Sequence, residues 1–102
     1  MTEEIFGPVL PIQTFDKTDD LLRHMRSAPK PLTLFVYSDD EAFVSAVQAG
    51  TSSGGVTVNG WGSHFSEPKV GFGGVNSSGS GRCHGVWGFR EFSKPRAVVK
   101  HR

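Results

Sequence analysis

Leu32-Thr33-Leu34-Phe35-Val36-Tyr37-Ser38-Asp39-Asp40-Glu41 is the stretch from which the fold is read. Its first six residues are a nearly continuous run of β-forming side chains, the pattern of a strand covered on both faces. Its last four match a capping box, in which a serine oxygen and a glutamate carboxylate reciprocally satisfy free backbone amides at the start of a helix. Phe43, Val44 and Val47 then supply the buried stripe of that helix, and Gly50 can take the left-handed conformation that ends it. Gly55-Val56-Thr57-Val58-Asn59 reads as a further strand.

Upstream, Val9-Leu10-Pro11-Ile12-Gln13-Thr14-Phe15 reads as a strand with Pro11 near its start, where a missing amide donor is tolerated at an edge or a bulge. A short helix follows, with Thr18 as cap, Asp19 and Asp20 at its positive end, and Leu21, Leu22 and Met25 on one face. Pro29 and Pro31 stop it. Strand, helix, strand, helix, strand is the order of two right-handed crossovers, so the expected fold is α/β with a small parallel β-α-β-α-β sheet. From Gly60 onward glycine, serine and aromatic residues replace the regular pattern, and Ala97-Val98-Val99 offers one more possible strand. Residues 1–102 form one expected domain, without repeats or an internal linker.

Composition narrows the function classes. The chain is 36% apolar and 21% charged with a formal net charge of +1, which gives no electrostatic reason to expect nucleic acid or a membrane surface. The basic ending, Lys94-Pro95-Arg96 with Lys100-His101-Arg102, lacks aromatic interleaving and reads as a solvated terminus. Thr2-Glu3-Glu4 opens neither a secretory signal nor a transit peptide, and no stretch is apolar for long enough to span a bilayer. One cysteine allows no internal disulfide, and no Cys/His spacing suggests a metal. A cytoplasmic location is the expectation.

Two motifs carry a family resemblance. Glu4-Ile5-Phe6-Gly7-Pro8, together with Phe72-Gly73-Gly74-Val75-Asn76-Ser77-Ser78-Gly79-Ser80-Gly81-Arg82-Cys83-His84-Gly85, resembles the carboxyl-terminal part of aldehyde dehydrogenases, in particular the class 3-like branch. The resemblance implies that Glu4 matches the glutamate that holds the nicotinamide ribose hydroxyls, and that Phe6 matches the phenylalanine beside the nicotinamide. It also implies that the dinucleotide-binding domain and the nucleophilic cysteine motif belong to a part of the family fold that these residues do not match. Glu4 and Phe6 are therefore read as vestigial, and no cofactor is expected to be held here. Gly71, Asn76 and Cys83 depart from the residues common at their positions in the family, so the loop has changed character. The loop is not a phosphate cradle: the third glycine of a dinucleotide fingerprint is absent, as is the lysine of a P-loop.

Trp61-Gly62-Ser63-His64-Phe65-Ser66-Glu67 has the materials for proton transfer in an apolar pocket, with His64 as the titrating group and Glu67 as its carboxylate partner. A structural histidine is the competing reading. Cys83, away from the family's nucleophile position, and His84 complete the catalytic candidates, while Trp61, Phe65, Phe72, Asn76, Trp87 and Phe89 are the candidate substrate-binding residues. Three functions follow. The first is a repurposed protein that binds a small carbonyl or polyketide-like molecule and performs a cofactor-free isomerisation or cyclisation. The second is a non-catalytic module that docks on itself, as a dimer, or on a full-length aldehyde dehydrogenase. The third is an excised piece of such an enzyme.

Overall fold

A computed structural model describes residues 3–102. The elements run α1 (Thr18–Ser27), β1 (Thr33–Val36), α2 (Glu41–Gly50), β2 (Gly55–Val58), α3 (Ser63–Ser66), a 3₁₀ turn (Asn76–Ser78) and α4 (Gly85–Glu91). β1 and β2 pair in parallel, with Thr33 opposite Gly55 and Val36 opposite Val58. The α/β class and the parallel pairing agree with the sequence pattern. The sheet, however, has two strands rather than three.

Val9–Phe15 joins no strand pairing; the Val9 amide donates locally to the Gly7 carbonyl. Pro11 removes one of the amides that a ladder needs, and Pro8 removes the one just before the segment. Ala97-Val98-Val99 is likewise unpaired. Among the described residues, no helix is long and apolar enough to cross a membrane.

Alternation along the strands divides the sheet into two faces with different work. Leu34, Val36 and Val56 turn toward the helices, where Leu22 of α1, Val36 and Val47 of α2 form the buried core with Phe43, Val44 and Ala46 packed around it. Thr33, Phe35, Gly55 and Thr57 point to the other face. Covering both faces of β1 does not bury it throughout, because only Val36 of its four residues is buried.

Three helix-end expectations need correction. α1 is preceded by Lys17, whose side chain makes no cap, and Thr18 is already helical. At α2 the capping box does not form: Asp40 is the cap, its Oδ1 accepting from the amides of Ala42 (2.9 Å) and Phe43 (3.2 Å), while Ser38 Oγ accepts from the Asp40 amide. A carboxylate one residue from the helix competes better for these amides than a hydroxyl three residues away. Gly50 is not left-handed. Its value is close packing, since a Cβ there would lie 3.0 Å from Leu22 Cδ1, and its carbonyl accepts from Arg26 Nε at 2.7 Å.

Asn59 extends the strand pairing beyond β2. Its Oδ1 accepts from the Ser38 amide at 2.9 Å and its Nδ2 donates to the Ser38 carbonyl at 3.0 Å, so the side chain imitates a strand backbone. Asn59→Ala is expected to destabilise the fold by about 1–2 kcal/mol, the usual net worth of two solvent-accessible hydrogen bonds. Urea denaturation measures it, and an unchanged midpoint would refute the clamp.

Candidate functional site

The second face of the sheet carries the site. After β2 the chain turns at Gly62, whose φ of 68° is unfavourable for other residues, and enters the four-residue helix α3. This turn lays the His64 ring against the sheet. Its Nδ1 is 2.5 Å from Thr57 Oγ1, and its centroid lies 5.9 Å from that of Phe35 and 5.7 Å from that of Phe72. The ring fits because Gly55 lacks a side chain: a Cβ there would stand 2.6 Å from His64 Cδ2.

His64 Nε2 is buried and has no hydrogen-bond partner. Leaving such an atom unpaired costs about 1–3 kcal/mol. Either tautomer leaves one ring nitrogen in that condition, since Nδ1 alone meets Thr57.

The glycine-rich segment closes the site from the other side. Phe72 and Cys83 form an antiparallel bridge through two backbone hydrogen bonds, of 3.1 and 2.8 Å. Arg82 holds the intervening turn, its Nη1 donating to the carbonyls of Gly74 (2.6 Å) and Gly81 (2.8 Å). Phe72 thereby meets Phe65 edge-on at 5.0 Å, and His84 packs 5.5 Å from Phe65. A groove of about 430 Å³ opens along Thr33, Phe35, Trp61, His64, Phe65 and Phe72.

The predicted site residues divide accordingly. Trp61, His64, Phe65 and Phe72 share the groove. Glu67 does not pair with His64: it is the residue that ends α3, and its Oε1 accepts from the Lys69 amide at 3.0 Å. Cys83 is exposed, with Sγ 3.0 Å from His84 Nδ1 and 3.3 Å from the Phe72 carbonyl oxygen. Asn76 starts the 3₁₀ turn with φ 55°, outside the groove lining. Trp87 packs over Gly71 under the Arg90 guanidinium, 5.9 Å from the ring centre. Phe89 lines a separate hollow with Arg90, Ser93, Lys94 and Pro95. Glu4 and Phe6 stand exposed on the amino-terminal arm, and two exposed side chains do not by themselves make a dinucleotide cradle.

Phe35, which lines the groove, and Thr57, which bonds the His64 ring, are residues that the motif reading missed. The signal was present in the alternation: Thr33, Phe35, Gly55 and Thr57 interrupt the aliphatic pattern of the core-facing positions, and Phe35 stands opposite Thr57 in the register.

The sequence profile of the aldehyde dehydrogenase family matches residues 1–98. The chain belongs to that family. A Craterostigma plantagineum aldehyde dehydrogenase is 41% identical over 100 residues, which are 98% of this chain and 21% of that protein. The mouse "Aldehyde dehydrogenase, dimeric NADP-preferring" is 42% identical over 99 residues, 97% of this chain and 22% of that protein. Relatives named as family 3 aldehyde dehydrogenases are also among its matches. A solved structure described as the substrate-bound state of Staphylococcus aureus AldH superposes with a TM-score of 0.85 at 38% identity, covering 99% of this chain and 24% of that one. This aldehyde dehydrogenase segment thus spans about a fifth of the length of the curated relatives it matches.

Proposed function

We propose that the chain is the carboxyl-terminal segment of an aldehyde dehydrogenase catalytic unit and supplies one aromatic wall of its aldehyde passage. The observation that supports this reading is the groove on the second face of the sheet, where Phe35, Trp61, Phe65 and Phe72 converge and no Asp, Glu, Lys or Arg takes part in the lining. Such a lining buries the apolar body of an organic aldehyde, excludes water and leaves the polar carbonyl to be oriented by groups from outside the segment. Nucleotide binding and the nucleophile belong, in this reading, to the remaining four-fifths of the family fold, and the unit is a homo-oligomer; the name of the mouse relative calls that protein dimeric.

A cofactor-free isomerisation or cyclisation has less support. Acid/base work needs a ring nitrogen that reaches the ligand, whereas His64 gives Nδ1 to Thr57 and has Nε2 covered.

The test is complementation. Alone, the 102-residue chain forms no NADH or NADPH from benzaldehyde; mixed with Staphylococcus aureus AldH shortened by the matching segment, it restores aldehyde-dependent formation of the reduced nucleotide. Turnover by the chain alone, after rigorous removal of host dehydrogenases, would refute this division of labour. So would a mixture that associates and stays inactive.

A further inference from the structure

We propose that Thr57, through His64, is a positioning residue that sets the shape of the aromatic groove. The inference rests on the reading of that groove as an aldehyde passage. Thr57 lies outside the groove lining and is buried in β2. Its hydroxyl is the one polar contact of the His64 ring among the described residues.

The remaining restraints on the ring are shape alone. Phe35 packs against it tilted at 41° and Phe72 at 29°, and the bare Cα of Gly55 lies close to its Cδ2 edge. A 180° flip about the Cβ–Cγ bond restores the plane of such a ring and exchanges its two edges, so contacts with the ring faces do not choose between them. The hydrogen bond to Thr57 decides which edge is buried. Without it both ring nitrogens are buried and unpaired, and the empty space beside the ring into which a nitrogen can turn toward water is the groove.

Rotation of His64 therefore narrows the groove from its floor. Phe65 follows it on α3, and Trp61 precedes it across Gly62 and Ser63, so the displacement bears on two neighbouring groove residues. Thr57 acts on bound ligand without touching it. A threonine in this position makes the groove a slot of fixed width, suited to a flat ring.

The experiment uses the full chain with ¹⁵N-labelled histidine and benzaldehyde as the probe. His64 is expected to show a single ring tautomer in the wild type and in Thr57→Ser, which keeps the hydroxyl. In Thr57→Val the ring exchanges between tautomers, the Trp61 and Phe65 resonances shift, and the dissociation constant for benzaldehyde rises about tenfold, whereas Thr57→Ser stays within about twofold of wild type.

Wild-type binding in Thr57→Val overturns the proposal. An exchanging His64 ring in the wild type does so too, and needs no variant to fold. If benzaldehyde leaves the wild-type groove resonances unmoved while the His64 tautomer is locked and the Thr57→Val shifts appear, the aldehyde-passage reading fails and the positioning role stands.

Discussion

Gly54→Ala is expected to leave the chain largely unfolded at 25 °C. The residue sits where three backbone segments meet: its amide donates to the Pro31 carbonyl at 3.0 Å, and the neighbouring Gly55 amide donates to that of Leu32 at 3.0 Å, opening the parallel ladder. A Cβ on Gly54 would overlap the carbonyl oxygens of Leu32 and Gly73, both main-chain atoms. Side-chain overpacking in a core costs about 1–3 kcal/mol because rotamers adjust. Main-chain carbonyls have no such freedom, so the loss here exceeds about 3 kcal/mol, among the severe effects of a single substitution. The core that must absorb it has only three buried apolar residues among those described, Leu22, Val36 and Val47.

Gly62→Ala is the informative control. Nothing lies within 4 Å of a Cβ at that position, but its φ of 68° strains any side chain, and the expected loss is about 1–2 kcal/mol. Circular dichroism in urea separates the two. Equal midpoints for Gly54→Ala and Gly62→Ala would show that the close approach at Gly54 relaxes freely.

Local pattern was enough for the elements that local forces determine. The stripe of Phe43, Val44 and Val47 located α2, and the β-branched run located β1, because periodicity is a property of neighbouring residues. The cap of α2 was ambiguous for a local reason: Ser38, Asp39 and Asp40 are three adjacent cap formers, and only the backbone path selects Asp40. Val9–Phe15 failed for a non-local one. A strand exists only with a partner, and its alternating side chains carry no information about whether one is present.

The site divides in the same way. Trp61, His64, Phe65 and Phe72 were legible as a concentration of aromatic residues around a turn. The His64–Glu67 pairing was not sound, because a spacing of three residues joins side chains only along a continuing helix, and α3 stops at Ser66. Thr57 was invisible to motif reading. Its role depends on which face of β2 it occupies, and therefore on a register that only the folded sheet defines.

The chain is expected to self-associate at micromolar concentration. A compact monomer of 11.1 kDa exposes about 5,700 Å² by the usual size scaling, yet this chain exposes 8621 Å². The radius of gyration is 17.6 Å, against about 13 Å for a compact domain of this length. The two arms contribute to it: Leu10 is 84%, Ile12 82% and Val99 77% exposed. Those same arms have unpaired backbone, and a two-stranded sheet has two open edges. Apolar surface and free strand edges in one place favour pairing with another chain. The excess area, about 3,000 Å², is more than a standard stable interface requires. In a dimer that unfolds to monomers, each tenfold increase in concentration adds about 1.4 kcal/mol to the stability of the dimer, so the melting temperature must rise with concentration. Sedimentation velocity and melting curves over a hundredfold dilution read this directly. Ile12→Lys and Val99→Lys should each weaken association by at least about tenfold, since each places a charge in a face that would otherwise be dry. A species of 11.1 kDa whose melting is independent of concentration would show that the arms remain solvated, and the expectation would then be wrong.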